Sequence, residues 1–292
     1  AFNSVLAQLI FGLASFISPQ MYTYLVTNID QGNTEKPMIG LMTGLVPEGM
    51  SWVAVYWVFA LLSVIMILII AMIKFPKVEL QEDEKAGSKE SYLELFKNKY
   101  VILFFLGIFC YVGTEQGISY WMSKFLSNYH GFDPDTIGAD AVSYFWGLMT
   151  IGGILGLVLM KLYDSKQILR WFTILAMLCV AAGLLGSADI ALWALPISGF
   201  FLSVMYPVIV SLGLNSVAKH HGSFAGILMT GIAGGAVVQI LIGGISDIFS
   251  LKVGMLFIFV TLGYILSITF WAKPLVNNKT IKSLKDIFKS ES

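Results

Sequence analysis

The sequence has few charged residues for its length. Only 12% of its 292 residues are Asp, Glu, Lys or Arg, against about a quarter in ordinary soluble domains. Hydrophobic residues make up 57% of the chain. The charges are absent from long stretches, so apolar runs of about 20 residues recur along the sequence, as they do in membrane-spanning helices. This composition excludes a large soluble enzyme domain.

Cysteines, histidines and catalytic motifs are also scarce. Cys110 and Cys179 lie inside apolar runs, where packing as small hydrophobic side chains is favoured over a disulfide. The three histidines fall near predicted loops, and no group of His, Cys and carboxylates has metal-ligand spacing. Walker-lysine, GxSxG and HExxH motifs do not occur. We therefore expect no metal, no cofactor, no enzymatic activity and no nucleic-acid partner.

The apolar runs predict an all-α, polytopic membrane protein with eight spans in the lipid bilayer. The spans lie at about residues 4–27, 50–74, 100–123, 137–160, 168–187, 190–218, 223–248 and 253–272. The chain begins at Ala1 without Met and enters an apolar run at once. We therefore expect that its true N-terminus is missing.

The distribution of basic residues predicts the orientation of the spans. With the N-terminus inside, fifteen of the 18 Lys and Arg residues fall on the inner side, and only Lys36, Lys124 and Lys252 fall outside. Residues 75–98 then form a mixed-charge inner loop, predicted to be a solvated linker between two spans and six. The tail at 274–292 has one apolar helical face and predicts a short helix on the inner membrane surface.

Glu115 is the only ionisable residue deep within a predicted span. Counted from Lys99 at about 1.5 Å per residue, it lies in the outer half of its helix. A carboxylate in hydrocarbon is costly unless it is protonated, paired or facing water, so Glu115 should face a cavity or the protein interior. The alternative is a protonated Glu that only ties helices together.

The neighbours of Glu115 support a polar lining. A stripe with a period of four consists of Tyr111, Glu115, Ser119 and Ser123. Gly113 and Gly117 are expected to loosen the helix at this point, as in the broken helices of transporter sites.

Other polar residues in the spans are weaker candidates. Tyr206 is adjacent to a stripe of Ser203, Pro207, Ser211 and Asn215 with a period of four. Pro207 is expected to bend the span, and ordinary hydrogen bonding between helices is the alternative for Ser and Tyr. Gln239 lies in a glycine-rich segment that indicates close helix packing. Asn3 is near a helix end, where an interfacial role is the alternative. The tryptophans lie mostly toward span ends, as interface anchors do, with stacking on a sugar as an alternative for Trp121.

Four segments together resemble the fucose permease family of the major facilitator superfamily, the sugar:proton symporters. Their order and spacing match across the whole chain, although each segment is weak by itself. They are FNS at 2–4, YVGTEQ at 111–116, YPVIVSLGLNSV at 206–217, and GSFAGILMTGIAGGAVV at 222–238 with a later SD at 246–247.

The resemblance implies a transporter of twelve helices in two six-helix bundles, in which the eight spans here would be helices five to twelve. Residues 1–74 would be a remnant of the first bundle, 75–98 the cytoplasmic loop between bundles, 99–273 the second bundle and 274–292 a cytoplasmic tail. The full-length protein would be a monomer in the inner membrane with both ends in the cytoplasm. This chain alone is not expected to transport.

The resemblance also implies that a monosaccharide of the fucose, galactose or glucose type binds midway between the bundles. A proton, or sodium as the alternative, would be cotransported by alternating access. The family's substrate-facing Asn and Tyr fall on Asn3 and Tyr206. Its protonating carboxylates lie on helices that this chain lacks, so Glu115 is expected to bind sugar or organise the site without carrying the proton. The expected substrate contacts are Asn3, Glu115, Gln116, Ser119, Tyr206 and Gln239. Transport of another small polar solute, a non-transporting receptor and a membrane enzyme are the alternatives.

Overall fold

The computed structural model describes residues 2–74 and 89–275, with side chains from residue 10 onward. This part of the chain is helical almost throughout. The predicted tail helix and residues 75–88 of the predicted linker lie outside it. The helices are α1 (Phe2–Asp30), α2 (Pro37–Thr43), α3 (Val53–Met72), α4 (Lys89–Lys97), α5 (Lys99–His130), α6 (Ala139–Leu162), α7 (Ser165–Leu185), α8 (Ala188–Leu202), α9 (Met205–Leu214), α10 (His221–Thr230), α11 (Gly234–Ile248), α12 (Leu251–Met255) and α13 (Phe257–Trp271).

Seven helical segments of the described residues are long and apolar enough to cross a membrane. They match the last seven predicted spans, which confirms an all-α membrane protein. The segments are Val53–Met72, Lys99–His130, Pro134–Leu162, Ser165–Leu185, Ala188–Leu214, His221–Ile248 and Leu251–Trp271. Helix α1 coincides with the first predicted span and is continuous for 29 residues, but it is not among these seven.

Helix α5 is longer than its predicted span. It begins at Lys99, where the Asn98 side chain caps it by accepting a hydrogen bond from the N–H of Tyr100 at 3.0 Å, and it continues for 32 residues to His130. The helix ends at Gly131, whose φ of 72° is the left-handed conformation that favours glycine. Glu115 therefore lies in the middle of α5 and not in its outer half.

Two predicted spans are interrupted, each for a physical reason. The first interruption lies next to Pro207, where a bend is predicted: α8 ends at Leu202, α9 begins at Met205, and Pro207 has no N–H to donate to the carbonyl of Ser203. Between α10 and α11 the backbone tightens into a 3₁₀ turn at Gly231–Ala233. There Gly234 packs directly on the backbone of Phe109 in α5, which leaves no room for a side chain.

The described helices form three hydrophobic clusters. The largest is built from α4 to α13 and includes Phe104, Ile108 and Phe145, and a small cluster of Ile168, Phe172 and Val204 lies within the same helices. A separate small core joins α1, α2 and α3 through Leu25, Ile39, Met42, Ala54 and Val55. The two regions, residues 2–74 and 99–271, therefore have separate cores, although α1 packs more on α6 than on α2 or α3.

Helix α1 joins the two regions by packing along α6. At their closest approach, Gly12 lies against the Thr150 side chain so tightly that a Cβ would overlap the Thr150 hydroxyl. One turn further along, Gly147 lies against the ring of Phe16. Near the predicted outer end, the Tyr22 hydroxyl donates a hydrogen bond to the Asp135 carboxylate at 2.9 Å. The two regions are thus closed against each other from the middle of α1 to its outer end.

The turn that presents Asp135 is stabilised by Asp133. Its carboxylate accepts hydrogen bonds from the Thr136 hydroxyl at 2.9 Å, from the Thr136 N–H at 2.9 Å and from the Asp135 N–H at 3.0 Å. These bonds, that of the Thr136 hydroxyl foremost, stabilise the ionised form and lower the pKa of the Asp133 carboxyl. Asp135 is therefore held in place opposite α1.

Candidate functional site

A cavity of about 440 Å³ lies where α1, α5, α6 and α9 meet. This volume is within the usual range of small-molecule sites. The cavity is lined by Phe11, Gly12, Tyr111, Val112, Glu115, Gln116, Trp146, Met149, Thr150, Gly153, Ile154, Leu157, Ser203, Tyr206, Pro207 and Ile232.

The polar wall of the cavity is one face of α5. Gln116 Nε2 donates a hydrogen bond to Glu115 Oε1 at 3.2 Å. Tyr111, one turn before, lines the cavity on the same face. Glu115 is only 9% exposed, and the described lining contains no Lys, Arg or His to neutralise it. The Glu115 side chain therefore relies on the hydrogen bond from Gln116, with oxygen lone pairs left to accept more.

Tyr206 completes this wall from α9. Its ring centroid is 5.8 Å from that of Tyr111, and its hydroxyl is 3.3 Å from the sulfur of Met229. The break between α8 and α9 positions this part of the chain, because Ser203, Tyr206 and Pro207 all line the cavity next to the interruption.

A second wall of the cavity is mainly apolar and comes largely from α6. The rings of Trp146 in α6 and Phe11 in α1 meet edge to face, with centroids 5.9 Å apart. Met149, Ile154 and Leu157 extend this wall along α6. A cavity that combines hydrogen-bonding groups with aromatic and aliphatic groups suits a neutral ligand with a polar edge and an apolar face.

The structure brings together three of the six predicted contact residues, namely Glu115, Gln116 and Tyr206, in the cavity lining. Ser119 is buried one turn along α5, does not line the cavity, and donates to the Gln116 carbonyl at 3.4 Å. Gln239 lies half-buried on α11, outside the lining. Asn3 is within α1, and its side chain is outside the described residues.

The two glycines beside Glu115 do not loosen α5, so that expectation is wrong. Helix α5 is continuous through both positions. A Cβ at Gly113 would collide with the Val238 side chain, and one at Gly117 would lie 3.0 Å from Ile242 Cδ1. Both glycines therefore serve close packing of α11 on α5, which is the role that the sequence suggested for the glycine-rich segment of α11.

The contribution of α6 to the cavity was missed by sequence reasoning. Trp146 and Thr150 lie in an apolar run without a charge or a polar stripe, and Trp146 resembles an interface anchor in sequence. The spacing of 146, 149/150, 153/154 and 157 does mark one helical face, but only the packing of α1 shows that this face borders a cavity. Trp121, the tryptophan considered for sugar stacking, lies outside the lining.

The described residues contain no group of three or more His, Cys, Asp or Glu side chains that could hold a metal ion. The hydroxyls of Ser203 and Thr150 donate to backbone carbonyls, at 2.7 and 2.9 Å. The chemistry that this lining offers is reversible, noncovalent binding.

Comparison with known proteins identifies related transporters. The chain is 31% identical to a glucose/galactose transporter of Brucella abortus (strain 2308) over 216 residues, which are 72% of this chain and 51% of that protein. It is 28% identical to the L-fucose-proton symporter of Escherichia coli (strain K12) over 204 residues, which are 66% of this chain and 44% of that one. The chain thus spans about half the length of these curated relatives.

Solved structures show the same fold. A crystal structure of the E. coli fucose:proton symporter matches with a TM-score of 0.62 at 21% identity, covering 76% of this chain and 56% of that one. A bacterial homologue of the human lysosomal transporter Spinster matches with a TM-score of 0.57 at 17% identity, covering 92% of this chain and 67% of that one.

The sequence profile of the Major Facilitator Superfamily matches residues 5–238, which is most of the chain. This match agrees with the helical fold and with the named relatives. The chain belongs to the Major Facilitator Superfamily.

Proposed function

We propose that the full-length protein carries a monosaccharide of the glucose, galactose or fucose type across the inner membrane by proton symport. The observation that carries this proposal is the cavity between α1, α5, α6 and α9, whose lining combines hydrogen-bonding groups with aromatic and aliphatic groups. A pyranose has hydroxyls at its edge and C–H groups on its faces, and therefore fits such a cavity. The names of the relatives support the same substrate class.

The mechanism that follows from the packing is alternating access. The two separate cores support a division into two bundles that move as units, with residues 2–74 in one and 99–273 in the other. The contact between α1 and α6 closes them toward the predicted outer side. Rocking of the two bundles would open this contact and expose the cavity on the predicted outer side of the membrane. The protein acts as a monomer, and it is not an enzyme.

The test of transport is uptake of radiolabelled D-galactose, D-glucose and L-fucose into proteoliposomes containing the full-length protein. We expect accumulation driven by an inward proton gradient and abolished by a protonophore. Accumulation that requires a sodium gradient would show that sodium, and not the proton, is the coupling ion. Absence of saturable binding and uptake for all three sugars would refute the proposal.

The orientation is tested by cysteine labelling on the two sides of α7. Tyr163 precedes this helix on the predicted inner side, and Ser187 follows it on the predicted outer side. In intact cells, a membrane-impermeant maleimide should label Ser187→Cys and spare Tyr163→Cys. The reverse labelling pattern would show that the orientation of the spans is opposite to the predicted one.

A further inference from the structure

The wall contributed by α6 contains ligand-facing groups to which no role has been assigned. Six residues on one face of this helix line the cavity: Trp146, Met149, Thr150, Gly153, Ile154 and Leu157. No other helix contributes as many residues to the described lining. A ligand that fills the cavity and binds Glu115 and Gln116 therefore also meets this wall.

Trp146 differs from the other tryptophans in its surroundings. The indole N–H groups of Trp57 and Trp271 donate hydrogen bonds to the Leu45 carbonyl and the Ser267 hydroxyl. Trp193 is largely exposed on the outside of the bundle. The ring of Trp146 lines the cavity. It therefore offers an apolar surface to a ligand, with the indole N–H as a donor at its edge.

Thr150 is one turn further along α6, on the same face. Its hydroxyl donates to the Trp146 carbonyl at 2.9 Å, so its only hydrogen is in use. The oxygen keeps lone pairs with which it can accept a hydrogen bond from a ligand hydroxyl. Together the two side chains provide an apolar surface with one donor and one acceptor.

The Trp146 ring also connects the two packing regions. Its edge-to-face partner Phe11 belongs to α1, and both rings line the cavity. Thr150 meets Gly12 of α1 at the closest approach of the two helices. We call the part of the cavity lined by Trp146, Thr150, Phe11 and Gly12 the α1–α6 corner. A ligand in this corner touches both regions where α1 crosses α6.

We infer that Trp146 and Thr150 are substrate-contacting residues: the indole ring covers a C–H face of the bound sugar, and the Thr150 hydroxyl accepts a hydrogen bond from one of its hydroxyls. The inference rests on the proposed sugar transport and adds specificity residues to the same cavity. The sugar contacts both this wall and the Glu115–Gln116 wall. Because the corner includes Phe11, sugar binding acts directly on the contact between the bundles.

The first experiment measures sugar binding to Trp146→Leu in the full-length protein, with Trp193→Leu as the matched control. Truncating a central aromatic contact should weaken apparent affinity by about fivefold or more. Trp146→Phe should lose less, because a ring remains. Trp193→Leu should bind as the wild type does, because Trp193 stacks on Tyr144 away from the cavity. Gel filtration reports whether each variant is folded.

The second experiment does not depend on the stability of Trp146→Leu. Thr150→Cys and Ile151→Cys are made in a background where Cys110 and Cys179 are replaced by Ala. Saturating sugar should slow alkylation at position 150 severalfold and leave position 151 unchanged, because Ile151 is exposed on the side of α6 away from the cavity.

The outcomes separate this inference from the proposed function. Wild-type affinity in folded Trp146→Leu, or no sugar protection at position 150, refutes the role of α6 while sugar transport stands. No saturable sugar binding by the wild-type protein refutes the proposed transport and this inference with it.

Discussion

The two packing regions of the molecule bury their side chains to very different extents. In the apolar stretch of α3, 11% of the residues are buried, whereas 61% are buried in that of α5. Helix α3 is uniformly apolar and exposed around most of its circumference, and α5 has Glu115, Gln116 and its glycines on buried faces. Among the described residues, α5 is packed by α9, α11 and α13, whereas α3 shares only the small core with α1 and α2.

A bilayer makes little demand on such an exposed apolar helix. Lipid tails solvate Leu and Ile as well as another helix does, so apolar side chains gain little from moving inward. Polar groups do gain, because hydrocarbon offers them no hydrogen bonds. A helix such as α5 is therefore drawn to the centre by its polar stripe and can pack closely through its glycines.

The largest expected effect on stability comes from comparing an isoleucine of α5 with an isoleucine of α3. Ile108 in α5 is fully buried, whereas Ile67 in α3 is 65% exposed. Ile108→Ala should lower the free energy of unfolding by roughly 2–5 kcal/mol, because it leaves a cavity in the larger core. Ile67→Ala should have little effect. Thermal unfolding in detergent measures both, and equal losses would refute the difference in packing.

The next effect tests the polar wall of α5. Glu115→Leu should weaken apparent sugar affinity about tenfold or more, since hydrogen bonds to a charged group are worth about 1.5–3 kcal/mol. Glu115→Gln should be milder, because its amide oxygen still accepts. The control is Glu94→Gln on α4, which pairs with His220 away from the cavity.

Uptake of labelled sugar also tests whether Glu115 carries the coupled proton. In that case Glu115→Gln would abolish uphill uptake and spare counterflow, whereas retained uphill uptake would support a role in sugar contact alone. Wild-type sugar binding and uptake in Glu115→Leu would refute both the role in sugar contact and the role in proton coupling.

A smaller effect is expected from the glycine packing within the larger region. Gly113→Ala should cost roughly 1–3 kcal/mol, because its methyl group would collide with Val238 across the α5–α11 contact. Gly244→Ala on α11 is the control, since no described atom lies within 4 Å of the new methyl group. It should be neutral or stabilising by up to about 1 kcal/mol. Unfolding in detergent distinguishes them, and a neutral Gly113→Ala would contradict the tight contact.

The smallest effect concerns the hydrogen bond that joins the two regions at their predicted outer end. Tyr22→Phe removes the donor to Asp135 and should weaken the closed contact by about 0.5–1.5 kcal/mol. Alkylation of Thr150→Cys by an external maleimide should then become faster. Tyr24→Phe is the control, because Tyr24 is exposed and contacts Lys36 instead. An unchanged rate in Tyr22→Phe would show that the apolar α1–α6 packing alone closes this side.

Sequence patterns predicted the helices because the signal for a membrane span is local. Apolar runs of about 20 residues mark each span, and Pro207 marks an interruption whatever the rest of the fold does. Glu115 was identified as a cavity residue for a similar reason, since one carboxylate in an apolar run has few stable locations. Tyr206 was a candidate from its place beside a polar stripe, and a family resemblance strengthened it and added Gln116.

Other features depend on which helices meet, and local patterns do not contain that information. The sequence alone shows Gly113 and Gly117 beside a buried Glu, but only the position of Val238 and Ile242 shows that they serve close packing. Ser119 belongs to the same stripe as Glu115, yet the packing of the bundle leaves it outside the cavity.

The sequence by itself determined that this is a helical membrane protein with a carboxylate deep within one long span, because the cost of charge in hydrocarbon acts on each segment separately. Only the tertiary structure decided that α6 forms the second wall of the cavity. Trp146 and Thr150 acquire their position from the crossing of α1 at Gly12. That crossing depends on side chains 138 residues apart in the chain, which no local pattern relates.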